Sequence, residues 1–131
     1  MTVWLDANVI VRFLTGEPEA LAQRARRLLR RAAEGDIAFR VPTVAVAEVV
    51  WVLGSFYRVP REVIADRIRG FMLAEGVAVD DEATVLDAVR MMEDAGVSFV
   101  DAFIAASARA RNERVATFDA DFKRLGVETI S

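Results

Sequence analysis

Short β-rich runs alternate with helical segments along almost the whole chain, and this order limits the fold more than any other feature of the sequence. Thr2–Leu5, Ala38–Val41, Val77–Val79 and Arg114–Thr117 read as strands, with an edge strand expected at Glu128–Ile130. Between the first two, Asn8 to about Leu14 reads as a short helix, broken by Thr15, Gly16, Glu17 and Pro18. From Glu19 to Glu34 the apolar positions Leu21, Ala25, Leu28, Leu29 and Ala32 recur at helical spacing, and Gly35 stops the helix. Pro42 and Thr43 open a helix that runs to about Tyr57. Pro60 starts another, with Val63, Ile64, Ile68 and Phe71 on one face. Glu82–Ala95 and Phe99–Arg111 complete the long helices, the second entered through Gly96 and Ser98, and a turn of helix follows near Ala120–Leu125. Strands separated by helices imply a parallel sheet covered on both faces, an α/β architecture. A chain of 131 residues with no repeat, linker or low-complexity stretch is expected to form a single domain over 1–131.

Against this apolar background three acids stand alone. Asp6 is the sole charged side chain between Met1 and Val11, Glu48 between Val41 and Tyr57, and Asp101 between Ala95 and Ala108. A carboxylate among core-forming residues is expected to lose hydration, and a buried unpaired charge is costly unless a cation completes the site. Asp119 adds a fourth acid near the C-terminus. Asp6 falls at the carboxyl end of the first strand, Asp119 just beyond the fourth, Glu48 about two turns into a helix, and Asp101 in the first turn of one. Ligands of open α/β sheets bind beyond the carboxyl ends of the strands. Four carboxylates converging there would repel one another unless they held a divalent metal.

Composition narrows the chemistry. With no His and no Cys, zinc sites, imidazole acid–base work, thiol nucleophiles and disulfides are excluded. Hard oxygen ligands favour Mg2+ or Mn2+. Lys123 is the only lysine, so sixteen of the seventeen basic residues are arginine, the better fork for phosphate. The net charge of −3 does not announce a nucleic-acid binder. No signal peptide fits, because Asp6 interrupts the first apolar stretch; no uncharged run is long enough to span a bilayer, and the cytoplasm is the expected location.

Several motifs, taken in order, resemble the PIN domain, and more narrowly the VapC-type toxin ribonucleases of toxin–antitoxin pairs. They are Asp6-Ala7-Asn8, the Glu48 helix, Val100-Asp101-Ala102-Phe103-Ile104-Ala105-Ala106 and Thr117-Phe118-Asp119-Ala120-Asp121-Phe122. The resemblance covers nearly the whole chain. It implies a three-layer α/β/α sandwich with a central parallel sheet of four or five strands. It also implies an endoribonuclease hydrolysing RNA phosphodiester bonds, in which Asp6, Glu48, Asp101 and Asp119 hold Mg2+ or Mn2+. Asn8 matches a polar position that is often Ser or Thr, Thr117 matches a residue that steadies the site, and Asp121 is a further supporting candidate. An activated water would leave a 5′-phosphate and a 3′-hydroxyl. The family's toxins are neutralised by a small antitoxin that wraps the enzyme.

Plainer readings stand beside these. Asp6 reads also as a helix N-cap, Asp101 as half of a capping box with Ser98, and Glu48 as an ion-pair partner of Arg12 or Arg40. Asp119 and Asp121 read also as solvated turn residues, and Asp80, Asp81 and Glu82 as a helix N-terminus. Trp4, Trp51 and Phe103 read as core. The Arg24, Arg27 and Arg31 face is either solvated or an RNA-phosphate track. Two whole-chain alternatives are a receiver-like signalling module and a catalytically inactive PIN-like binding module. The 54% hydrophobic content exceeds what a small core needs. Val9, Phe13, Val63, Ile64 and Phe71 are therefore expected to serve a homodimer and an amphipathic antitoxin segment.

Overall fold

The computed structural model describes every residue from Met1 to Ser131, and its elements follow the expected alternation. In chain order they are β1 (Thr2–Trp4), α1 (Ala7–Thr15), α2 (Glu19–Ala33), β2 (Ala38–Val41), α3 (Thr43–Ser55), α4 (Arg61–Met72), β3 (Val77–Val79), α5 (Glu82–Ala95), α6 (Phe99–Ala110) and β4 (Val115–Ala116). A 3-10 turn at Ala120–Leu125 and β5 (Thr129–Ile130) close the chain. By its contacts the chain forms two compact units, Met1–Asp80 and Asp81–Ser131. No helix is long and apolar enough to cross a membrane.

In the first unit β1, β2 and β3 form a parallel sheet with β2 in the middle, Thr2 opposite Ala38 and Phe39 opposite Val77. Parallel neighbours require crossover connections, supplied by α1 with α2 and by α3 with α4. A receiver-like fold places its first strand between the second and third, whereas here β2 lies between β1 and β3, which argues against that alternative. Side chains alternate across a strand, and here the alternation sorts cleanly. Leu5, Phe39, Val41 and Val79 are buried on one face, while Thr2, Trp4, Ala38, Arg40 and Ala78 on the other are exposed. Trp4, expected in the core, is 61% exposed and lies under the Arg40 guanidinium at 5.5 Å.

The helices bury faces set by their apolar spacing. In α2 the small residues Ala22, Ala25 and Ala32 face inward with Leu29, and the arginines point out. α4 buries Ile64, Ala65, Ile68, Phe71 and Met72. Ile64 and Phe71, expected to serve partners, are therefore core, and Phe71 packs on Phe13 at 6.2 Å. α3 is apolar on every side, so burying Val46, Val49 and Leu53 leaves Val44 and Trp51 bare at 76% and 68% exposure. Trp51 is a second correction to the expected core. Gly76, entering β3, has φ +77°, and a Cβ there would lie 2.6 Å from the Ala32 carbonyl oxygen at the end of α2. Only glycine permits that approach.

In the second unit α5 and α6 pack Val85, Ala88, Val89 and Met92 against Phe99, Ala102, Ala105 and Ala106 as its core. Phe103 is half-buried and stacks on Phe99 at 6.0 Å. Gly96, at φ 71°, ends α5 by donating its N–H to the Met92 carbonyl, the left-handed cap that glycine favours. β4 and β5 form a separate parallel pair. The five strands reach the upper end of the expected number but divide into sheets of three and two.

Candidate functional site

Asp6 stands where β1 ends and α1 begins, with extended backbone at φ −78°. Its carbonyl accepts from the Val9 and Ile10 N–H groups, but its side chain makes no capping bond. The carboxylate is exposed and forms no ion pair. Capping therefore does not account for an acid here; Asp6 fills the N-cap position with its side chain left free. Asn8 follows in the first turn of α1, also exposed.

Glu48 sits on the outward face of α3, between Val44 one turn before it and Trp51 one turn after. It too is exposed and unpaired. Neither arginine proposed as its partner takes that role. Arg40 pairs with Asp80 at 2.9 Å, and Arg12 bonds elsewhere. Asp6 and Glu48 line one cleft of about 520 Å³ together with Ala7, Asn8, Val11, Arg12, Val52, Phe56 and Tyr57. Leaving two carboxylates unpaired beside an arginine is a choice of geometry, since seven other acids, Asp80 and Glu128 among them, find arginine partners.

The second unit holds the other two acids. Asp101, in the first turn of α6, is half-buried. Its N–H donates to Ser98 Oγ at 3.1 Å, so Ser98 does the capping and the Asp101 carboxylate remains free. Asp119 is exposed and caps the 3-10 turn, its Oδ1 accepting from the Asp121 N–H at 2.9 Å. The Asp119 N–H in turn donates to Thr117 Oγ1 at 3.0 Å, and Asp121 pairs with Arg124 at 3.1 Å. For these two acids the turn reading describes the local bonds. Asp81 occupies the N-cap of α5, with Glu82 in its first turn, as expected of a helix start.

Expected burial of the isolated acids is corrected. No charged residue is buried; Asp6, Glu48 and Asp119 are exposed and Asp101 half-exposed. An apolar neighbourhood in sequence reflects what surrounds a residue along the chain, whereas its facing is set by the element that carries it. Asp6 leaves the sheet at a strand end, and Glu48 lies on the free side of an all-apolar helix. Within neither unit do three or more acidic side chains gather closely enough to hold an ion alone. Mg2+ is commonly held by one or two carboxylates, waters and a substrate phosphate. The hard, unpaired oxygen donors of Asp6 and Glu48 fit that pattern. Sequence reasoning missed Arg12 and Tyr57 as parts of this cleft; the signal available was an arginine among the apolar residues of α1, which was read only as an ion-pair partner.

No curated protein matches the sequence closely enough to count as a relative. Among solved structures, the chain is similar to the VapBC2 complex of Rickettsia felis bound to a DNA fragment from their promoter. The identity is 16% over 99% of this chain and 98% of that one, with a TM-score of 0.40, too loose a likeness to argue from. The family model of the PIN domain matches residues 3–128. Nearly the whole sequence is covered, and the chain belongs to the PIN domain family, whose members are generally divalent-metal-dependent nucleases.

Proposed function

We propose that this chain is a Mg2+- or Mn2+-dependent endoribonuclease and the toxin of a toxin–antitoxin pair. The observation that carries the reading is the cleft in which Asp6 and Glu48 stand exposed and unpaired although Arg12 lines the same walls. Two unpaired carboxylates in one cleft suit a site for a cation. Asp6 and Glu48 would bind the ion, with Asn8 as a neutral oxygen donor beside them. Asp101, its carboxylate likewise unpaired, and Asp119 act in the same reaction by their match to the family's acidic pattern, with Thr117 and Asp121 in support. When bound, a divalent ion supplies the Lewis acidity that makes water nucleophilic near neutral pH and offsets charge on the phosphoryl oxygens. The chain has no imidazole or thiol to take those roles. The two units are read as parts of one PIN domain because the family match runs across both.

The narrower assignment to a toxin rests on the order of motifs at Asp6-Ala7-Asn8, Glu48, Val100–Ala106 and Thr117–Phe122. Its partners are an antitoxin and a second copy of the chain. Val44, Trp51 and Phe56, together with Val100 and Ile104 in the second unit, offer exposed apolar surface for them. The test is induced expression of the wild-type chain and of Asp6→Asn in a bacterial host, with cellular RNA sequenced at its 5′ ends. Growth arrest with new 5′-phosphate ends from the wild type alone supports the reading. Equal arrest by both chains, or no cleavage by purified protein in Mg2+ or Mn2+, refutes it. A small reading frame immediately upstream that relieves the arrest identifies the antitoxin.

A further inference from the structure

Arg12 Nε is the only buried side-chain polar atom in the molecule that lacks a hydrogen-bond partner. Buried donors are almost always paired, so an orphan asks for a ligand, a water or a strained purpose. The rest of the guanidinium is anchored on one side only. Nη1 donates to the Glu17 carbonyl and to the Tyr57 hydroxyl, both at 3.3 Å, long for a charged donor. Nε and Nη2, the two parallel donors of the other edge, carry no bond, and no carboxylate pairs with the charge although Asp6 and Glu48 line the same cleft.

We propose that Arg12 clamps a backbone phosphate of the nucleic-acid substrate through its Nε and Nη2 edge, where the strand must part the side chains that cover Nε, while Tyr57 and the Glu17 carbonyl hold Nη1. The proposal rests on the nuclease reading above. A guanidinium fork matches two phosphate oxygens in one plane, which a lysine in its place would not. Arg12 also lines, with Asn8, Arg24 and Leu28, an adjoining groove of about 290 Å³. Arg24 forms no ion pair either. A strand with regularly spaced phosphates occupies both arginines in turn, and the planar fork suits each phosphate. The strand then passes from the Arg24 groove to the acids of the neighbouring cleft; Asn8 and Arg12 line both, and Arg12 is the cation common to them.

Single-turnover cleavage of a short, labelled, mixed-sequence RNA in Mg2+, across enzyme and salt concentrations, tests this. Arg12→Gln raises the half-saturating enzyme concentration about 10- to 100-fold, the loss of one bidentate charged contact, while the limiting rate changes less. Its binding also loses about 0.7 from the slope of log affinity against log salt, the signature of one phosphate contact on a single strand. Arg12→Lys keeps the charge without the fork and recovers only part of the affinity. Tyr57→Phe weakens saturation by a smaller factor. Thermal melting runs alongside, because a mere bracket between α1 and Tyr57 would lower stability in all three variants and leave the salt slope of the folded protein unchanged. That pattern overturns the clamp, as does wild-type saturation by Arg12→Gln. Arg12-dependent binding of oligoglutamate with no such dependence for RNA also overturns it. A wild-type chain that cleaves no RNA removes the nuclease reading itself and the clamp with it, an outcome distinct from an active enzyme indifferent to Arg12.

Discussion

Asp6 and Glu48 have neither burial nor ion pairs to lose, which separates their chemistry from their contribution to the fold. Asp6→Asn and Glu48→Gln keep shape and remove one charge each. Each is expected to slow single-turnover RNA cleavage by about 10²–10³-fold, the loss seen when one stabilising contact to the reacting centre goes. The melting temperature should hold or rise, since one of two unpaired carboxylates lining the same cleft is deleted. Activity loss that merely tracks unfolding would make these residues structural. Asp119 differs, because its Oδ1 already serves the Asp121 N–H. Asp119→Asn preserves that acceptor, costs less activity than either of the first two, and recovers partly in high Mn2+. Asp101, with a free carboxylate, should behave like Asp6 in the same cleavage assay, and full activity in Asp101→Asn would remove it from the site.

At the level of elements, local chemistry accounts for nearly every boundary. Gly96 and Ser98 end and begin helices at the positions their conformational and capping preferences dictate. Pro42 and Pro60 stand immediately before the helices they were expected to open. Gly76 was not singled out from sequence, because its role depends on the Ala32 carbonyl, more than forty residues away along the chain. Gly76→Ala should destabilise the protein by more than about 1 kcal/mol, since it adds a positive-φ penalty to a clash with backbone that has no room to yield. Urea unfolding monitored by helical circular dichroism measures this. An unchanged midpoint would mean that β3 and the end of α2 shift apart at little cost.

For the whole molecule, metal and assembly give two separable readouts. Mg2+ at a hundred times its dissociation constant should add about 2.7 kcal/mol to unfolding stability if it binds only the native state. The Asp6→Asn, Glu48→Gln double variant should lose that gain. Equal stabilisation of the double variant would place the ion elsewhere. Trp51, at 68% exposure with Val44 and Phe56 also exposed, belongs to the apolar surface that the proposed homodimer would cover. Trp51→Glu should shift a dimer toward monomer in sedimentation equilibrium without changing helicity. A wild type that is monomeric at the same concentration would refute a homodimer on this face.

Sequence alone determined what local rules control: the order and nearly the ends of the helices and strands, the parallel α/β class, the family motifs and the absence of imidazole and thiol chemistry. These depend on neighbours within a turn or two, on the period of apolar residues and on which atoms the chain contains. Facing and pairing were decided only by tertiary structure. An isolated acid in an apolar run looked buried until α3 turned Glu48 outward and β1 released Asp6 at its end. Trp4 and Trp51 looked like core until the sheet and an all-apolar helix each exposed one side. Arg12 looked like an ion-pair partner until folding set it beside Tyr57, from a distant segment, with one edge of its guanidinium unbonded. Distance along the chain carries no information about which of two faces a side chain takes, and the energy that selects the face comes from contacts made only when remote segments meet.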